Sequence, residues 1–242
     1  MKAATFNTWG NYGPPERKPV LAQAIRNLDA DLICLQEVAD PVFLEQFPYP
    51  VRLHAPAGTL AILSRFPLVS HREITYQAVS PLETCVRQAL AAELRIDGRS
   101  LWAVTTHLSW KEADDATRLA QVEELLRAVE PLGGRVLLSG DFNAEPAHAP
   151  VDRIRRAGFV DLFSHRHPKE PGWTWDNQNP FIQSHSVRFP DRRIDYLFLR
   201  REALKEFDPS ECEVVCRTSS PEGMHPSDHY GVLATLEISG AG

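Results

Sequence analysis

Six short stretches of this 242-residue sequence place polar or acidic residues where an apolar, strand-like run ends. Strand ends are where sheet proteins build sites. Asn7 follows the opening run, Gln36 and Glu37 follow Leu32-Ile33-Cys34-Leu35, and Thr106 and His107 follow the run from Leu101. Gly140-Asp141-Phe142-Asn143 follows Val136-Leu137-Leu138, Arg193-Ile194-Asp195-Tyr196 opens a strand, and Ser227-Asp228-His229-Tyr230-Gly231 precedes the last one. Taken singly, each has an ordinary explanation, since Asp or Asn after a strand is most often turn chemistry and a lone histidine such as His107 is most often a satisfied one. Taken together, they supply carboxylates able to hold a cation or accept a proton, imidazoles able to carry positive charge, and amides able to donate hydrogen bonds.

The elements that must position these residues follow from apolar periodicity. Strands are expected over Met1 to Trp9, Asp31 to Glu37, Ala61 to Ser64, Leu68 to Tyr76, Val86 to Ile96 and Ser100 to His107, with Asp97-Gly98 as hairpin turn between the last two. Helices are expected over Arg17 to Leu28, Pro41 to Phe47, Ala113 to Val129 and His148 to Ala157, the third carrying Leu119, Val122, Leu125, Leu126 and Val129 as one stripe. Further strands are expected at Arg135 to Ser139, Arg193 to Leu199, Glu213 to Arg217 and Gly231 to Ile238. Ser164 to Asp191 has little periodicity and holds Trp173 and Trp175; a loop of that length inside a compact domain is usually functional. Strands joined partly by helices and partly by hairpins suggest two mixed sheets packed face to face with helices outside.

Composition narrows the class. With 43% hydrophobic and 24% charged residues the chain is an ordinary globular sequence, which excludes disorder and collagen. No apolar run is long enough for a membrane-spanning helix, which needs about 20 residues, so integral membrane association is not expected. Polar Asn7 and Thr8 interrupt the opening run and leave no apolar core for a secretory signal, which points to a cytoplasmic protein. Cys34, Cys85, Cys212 and Cys216 show no paired spacing and are expected to be buried free thiols. A net charge of -6 opposes generalised attraction to a phosphate backbone.

In this order and at these spacings, Gly140-Asp141-Phe142-Asn143 and Ser227-Asp228-His229, with Gln36-Glu37, Thr106-His107 and Asn7, make a sequence that resembles the endonuclease/exonuclease/phosphatase superfamily. The resemblance covers the chain from Asn7 to about Ile238. It implies an α/β fold, a four-layered sandwich of two packed mixed β-sheets flanked by helices (DNase I-like), in a single domain over residues 1–242. It also implies a divalent-metal-dependent phosphoester hydrolase, a phosphodiesterase or phosphatase, using Mg2+ with Mn2+ as a possible substitute.

Phosphate esters hydrolyse so slowly that enzymatic accelerations reach about 10²¹-fold for monoesters, so a site must neutralise charge and position water. Mg2+ takes one or two protein carboxylates together with substrate phosphate, which makes Glu37 the leading ligand; by resemblance, Asn7 and Asp228 complete or flank the metal site. Asp141 would position or deprotonate the attacking water, and Asn143 would donate to a phosphate oxygen or the nucleophile. His107 and His229 would face the phosphate from two sides, either being more useful protonated. In the family the aspartate at the position of Asp195 hydrogen-bonds the histidine at the position of His229.

Trp173-Thr174-Trp175-Asp176-Asn177-Gln178-Asn179-Pro180 looks like the tryptophan–aspartate loop of the sphingomyelinase-like and tyrosyl-DNA phosphodiesterase-like branches; otherwise it is a surface loop pinned by buried tryptophans. Arg87 could reach a phosphate or form an ion pair. Acidity favours a small or exposed phosphoester, a small molecule or lipid headgroup, as partner, with nucleic acid possible and the oligomeric state left open. A DNA-repair-type nuclease or DNA-end phosphodiesterase would need a basic groove, for which Arg65, Arg87, Arg188, Arg192 and Arg193 are the candidates. A non-catalytic binding module would have lost site residues, and every motif position here is intact.

Overall fold

The computed structural model describes residues 1–239. The first sheet is built from β1 (Lys2–Asn7), β2 (Leu32–Gln36), β3 (Val51–Ala55), β4 (Leu60–Ser64), β11 (Phe207–Val215) and β12 (Gly231–Ile238), in the order β11-β12-β1-β2-β4-β3. The second contains β5 (Leu68–Thr75), β6 (Gln88–Ile96), β7 (Arg99–His107), β8 (Val136–Asp141), β9 (Phe159–Asp161) and β10 (Asp195–Arg200), in the order β5-β6-β7-β8-β10-β9.

The central strands are apolar at nearly every position because both of their faces are covered. Leu32 and Cys34 of β2 face the second sheet and meet a shared core containing Leu90, Ala92, Leu101, Ala103, Leu137 and Leu197. The alternate residues Ile33 and Leu35 face outward and pack with Leu21, Ala22 and Ile25 of helix α1 (Arg17–Asn27). Val104 and Leu138 of the second sheet face outward in the same way, under Val122, Leu125 and Val129 of α3 (Asp115–Val129) and Val151 and Ile154 of α4 (Ala149–Arg156). Helix, sheet, sheet and helices make the four expected layers. Short α2 (Val42–Glu45) and α5 (Leu162–Arg166) complete the helices named here.

Each sheet holds a parallel pair joined by a helical crossover: β1 and β2 through α1, β7 and β8 through α3. The register sets Asn7 opposite Gln36 in one pair and His107 opposite Asp141 in the other. β10 runs antiparallel to β8 and starts with Asp195 opposite Asp141. The chemistry-bearing residues therefore gather at one end of the sandwich, the carboxyl end of both parallel pairs. Gln36 ties the sheets together just beneath that end, its Nε2 donating to Thr5 Oγ1 at 3.0 Å and to Thr105 Oγ1 at 2.9 Å.

The structure adds and corrects elements. β3, β9 and α5 were not expected; the short β9 and α5 carry too few residues for a period to emerge, and α5 takes the first residues of the expected loop. β11 begins six residues before the expected Glu213, because Pro209 and alternating polar residues read as a break, whereas an edge strand tolerates Pro and a bulge falls between Pro209 and Glu211. Buried thiols are found at Cys34 and Cys212, but Cys85 is exposed and Cys216 half-buried. Cys85 lies in an irregular connection before β6, outside the strand to which the sequence assigns the neighbouring Val86. No helix among the described residues is long and apolar enough to cross a membrane.

Gly140 shows how tightly this end is built: its φ is +136°, and a Cβ there would lie 2.0 Å from the Thr106 carbonyl oxygen. Gly140→Ala combines backbone strain with a clash against main chain. The unfolding free energy should fall by about 3 kcal/mol or more, read from urea denaturation, and a loss within about 0.5 kcal/mol, the range of an ordinary surface change, would refute this account.

Candidate active site

His229 is the centre of the cluster. Its Nδ1 lies 2.9 Å from Asp195 Oδ2 and its Nε2 3.7 Å from Asp141 Oδ2, so the imidazole stands between two buried aspartates. His107 Nε2 approaches the same Asp141 oxygen at 3.5 Å. Asn7 Nδ2 donates both to Asp141 Oδ2 and to Glu37 Oε1, each at 3.0 Å, while Asn7 Oδ1 accepts from the Trp9 amide at 2.9 Å. Asn7 as placed turns its nitrogen toward both Glu37 and Asp141 and so brackets two carboxylates.

The backbone is shaped to present these groups. Glu37, directly after β2, and Asn143, two residues after β8, both adopt left-handed φ, at 59° and 48°. Asn143 donates its amide to Asp141 Oδ1 at 2.9 Å, and one Nδ2 hydrogen is taken by the Leu108 carbonyl at 3.2 Å. Ser227 Oγ donates to the Asn7 carbonyl at 2.8 Å and fixes the Ser227-Asp228-His229 turn onto the end of β1. Arg17, wholly buried at the start of α1, spends its fork on the carbonyls of Thr8, Trp9, Gly10, Tyr12 and Pro226, joining the loop after β1 to the loop before β12.

Burial and charge set the protonation states. Burial alone lowers His229, but Asp195, Asp141 and Asp228 outweigh it and raise the imidazole from 6.5 to about 10. Burial, then the charge of Asp195, raises Asp141 from 3.8 to about 7, against the opposing pull of His229, Asn7 and Asn143. Burial and Asp228 push Glu37 upward. His107 is held well below its ordinary value by burial and by the charges of Arg87 and His229. His229 is thus the charged imidazole at neutral pH and His107 the neutral one, the charge on His229 being one of the causes that hold His107 down.

Three further groups contribute: Trp175, from the tryptophan–aspartate stretch, Arg192, one of the candidate groove arginines, and His185, which no motif reveals. His185, from the long loop, places Nε2 2.9 Å from Asp228 Oδ2, and Ser227 Oγ donates to Asp228 Oδ1 at 3.2 Å, so both oxygens of Asp228 are engaged. Trp175 is buried, with its ring centroid 5.2 Å from that of His229 in an edge-on contact. Arg192, paired through its backbone to Trp175, stacks its guanidinium over the rings of Trp175 and Phe189. The loop is held down by Asn179 Nδ2 donating to the Ser227 carbonyl at 2.8 Å, a link between the two motifs invisible in one dimension.

The remaining arginines do not converge. Arg65 pairs with Asp29 and Asp31, Arg87 with Glu83, and Arg188 reaches the carbonyls of Ile182 and Gln183. Arg193, expected to help attract phosphate, is buried in an ion pair with Asp161 at 2.8 Å. Two clefts flank the cluster: one of about 330 Å3 lined by Glu37, Lys18, Asp40 and Phe43, and one of about 460 Å3 lined by Asp176, Arg217, His225 and Tyr230.

A buried aspartate–histidine–aspartate cluster at the carboxyl ends of two packed mixed sheets defines a class, and the sequence agrees. The chain belongs to the Endonuclease/Exonuclease/phosphatase family, which matches residues 4–229. Endonucleases, exonucleases and phosphatases all cleave phosphate esters, which fixes the reaction class as phosphoester hydrolysis. Among its relatives, the uncharacterized protein YbhP of Escherichia coli is 27% identical, with 98% of this chain and 96% of that protein aligned. The crystal structure of D. rerio TDP2 complexed with a single-strand DNA product superposes with a TM-score of 0.80 at 20% identity, covering 98% of this chain and 99% of that one. The mannosyl-6-phosphatase of Bacteroides thetaiotaomicron superposes at 0.76 with 18% identity, covering 98% and 100%. At these identities the two structures establish the shared fold.

The charge on His229 is directly measurable. Its folded value lies above its unfolded one, so its contribution to stability is complete below about pH 6.5 and is lost as pH rises through about 10. Imidazole 15N NMR should show His229 protonated and His107 neutral at pH 8, and Asp195→Asn should lower the His229 value. A neutral His229 at pH 8 in the unsubstituted protein would contradict the electrostatics described here.

Proposed function

We propose that this protein is a divalent-metal-dependent phosphoester hydrolase using Mg2+, with Mn2+ as a working substitute, on a small or exposed phosphoester. The observation that carries this reading is His229 held as an imidazolium between Asp195 and Asp141 at 2.9 and 3.7 Å, beside Asn7 and Glu37. Asp195 orients the ring and keeps its charge; the other nitrogen, Nε2, 3.7 Å from Asp141 Oδ2, stabilises negative charge gathering on phosphorus oxygens. Asp141, poised near neutrality, aligns water and accepts its proton, with Asn143 beside it. Neutral His107 can donate one hydrogen bond to a phosphate oxygen.

The donor set fits a cation. Glu37 is a half-buried carboxylate raised by burial and by Asp228, and the repulsion between two acids is relieved when a positive ion joins them. Glu37 would hold the ion, with the negative charge of Asp228 behind it. When bound, a divalent ion polarises the phosphoryl oxygen and offsets charge in the transition state. Asp141, Asp195 and His229 also offer ligand atoms within 4.8 Å of one another, but Asp195 Oδ2 already pairs with His229 Nδ1 at 2.9 Å and Asp141 Oδ2 already accepts from Asn7 Nδ2 at 3.0 Å. Glu37 is the stronger candidate.

The DNA-end phosphodiesterase reading draws support from the similarity to TDP2 with its DNA product. Four of the five arginines that could form a basic groove are committed elsewhere, which favours the small-substrate reading over it. A binding module without catalysis is disfavoured by the complete set of acids, amides and histidines.

Activity on generic phosphoesters should disappear with EDTA and return with Mg2+. Glu37→Ala should lower kcat by at least about 100-fold and raise the Mg2+ concentration needed. Asp141→Asn should cost at least about 100-fold in kcat with little change in KM, as expected of a group acting in the chemical step. Full turnover in EDTA, or in Glu37→Ala, would overturn the metal assignment.

A further inference from the structure

Arg192 is a cation with no anion of its own. Among the described residues no carboxylate oxygen lies within 4.0 Å of its guanidinium, its side chain makes no hydrogen bond, and its Nε is buried without a partner. The neighbouring Arg193, by contrast, is locked to Asp161 at 2.8 Å and to Ser164 Oγ at 2.7 Å. Instead of an acid, two aromatic rings hold Arg192, its Cζ lying 3.7 Å from the Phe189 centroid and 5.3 Å from that of Trp175. Contact with two aromatic rings restrains the guanidinium without using its N–H donors in hydrogen bonds.

Its position is beside the chemistry. The Arg192 amide donates to the Trp175 carbonyl at 2.9 Å, and the Trp175 ring in turn meets His229 edge-on, with centroids 5.2 Å apart. Arg192 stands three residues before Asp195 in the sequence. Burial depresses its pKa, while the charges of Asp141, Glu145 and Asp195 act the other way, so the guanidinium feels the catalytic carboxylates without touching them.

Resting on the hydrolase reading above, we propose that Arg192 binds the phosphate of the substrate and sets a preference for the dianion of a phosphomonoester over the monoanion of a phosphodiester. A guanidinium fork matches two phosphate oxygens at once. A monoester above its second pKa of about 6 carries about two negative charges, whereas a diester carries one. Arg192, against the Trp175 ring that meets His229, adds a permanent positive charge near the reacting group. That added charge favours the doubly charged substrate, and a diester, with two non-bridging oxygens instead of three, has none left for the other groups of the site once the fork holds a pair.

The test compares 4-nitrophenyl phosphate with bis(4-nitrophenyl) phosphate in Mg2+, using the intact protein, Arg192→Met, which keeps apolar packing between the rings, and Arg192→Lys, which keeps only the charge. Arg192→Met should lower kcat/KM for the monoester roughly 10- to 100-fold, the value of a hydrogen bond to a charged group. The diester should change by less than about threefold, and Arg192→Lys should fall between. Inorganic phosphate, titrated calorimetrically, should bind Arg192→Met at least about tenfold more weakly. Equal losses on both substrates, or unchanged phosphate binding, would overturn the proposal in favour of a purely structural clamp on Trp175. If the intact protein turned over neither ester while phosphate binding still depended on Arg192, the hydrolase reading would fail and the anion site would stand. Should Arg192→Met not fold, the lysine variant and its phosphate affinity decide the matter.

Discussion

The contact between His229 and its two aspartates organises the molecule as well as its site. His229 comes from the approach to β12 in one sheet, while Asp195 and Asp141 start and end strands of the other. A buried imidazolium flanked by carboxylates is tolerable only with close, fixed geometry, because each charge loses its water and must recover the energy from its neighbours. That requirement keeps the two sheets at one separation and one register at their carboxyl ends. Gln36, bridging Thr5 and Thr105 one layer below, imposes the same spacing with neutral groups.

The arrangement explains why the remaining polar residues take the forms they do. Asn7 can face two carboxylates at once because an amide nitrogen has two hydrogens and no charge to desolvate. A lysine there would set a fixed positive charge between the two acids, and an acid would add to their repulsion. His107 stays neutral because burial disfavours its charged form and because Arg87 and His229 already bring positive charge nearby. The cluster thus divides its labour by environment: two histidines of the same chemistry hold opposite charge states a few ångströms apart.

Much of this was legible in the sequence because strand ends combine an apolar run with an abrupt polar residue. Asn7, Glu37, His107, Asp141, Asp195 and His229 all announce themselves in this way, and the alternation of helical and strand periods implied the layered fold. His185 could not be found by such reasoning, since it lies in a stretch without period and reaches Asp228 only through the path of the loop. Arg192 and Arg193 are indistinguishable as letters, yet one is buried against Asp161 and the other lies between aromatic rings. The direction in which the Asn7 amide points, and which histidine is charged, depend on distances that sequence spacing does not contain. β11 was shortened for a related reason: its polar residues face solvent from an edge strand and resemble a loop.

The placement of β1 has a consequence for synthesis of the chain. β1 lies in the interior of its sheet, paired on one side with β2 and on the other with β12, the last of the described strands. During translation β1 and β2 can join early through α1, but one edge of β1 must wait with its backbone groups unpaired until β12 leaves the ribosome. Exposed strand edges are where chains associate wrongly, so a nascent chain of this topology depends on solvation or chaperones over most of its length. The same delay withholds His229, which directly precedes β12, until that closing strand is in place. A prematurely terminated chain therefore lacks the His229 contact with Asp195 as well as its closing strand.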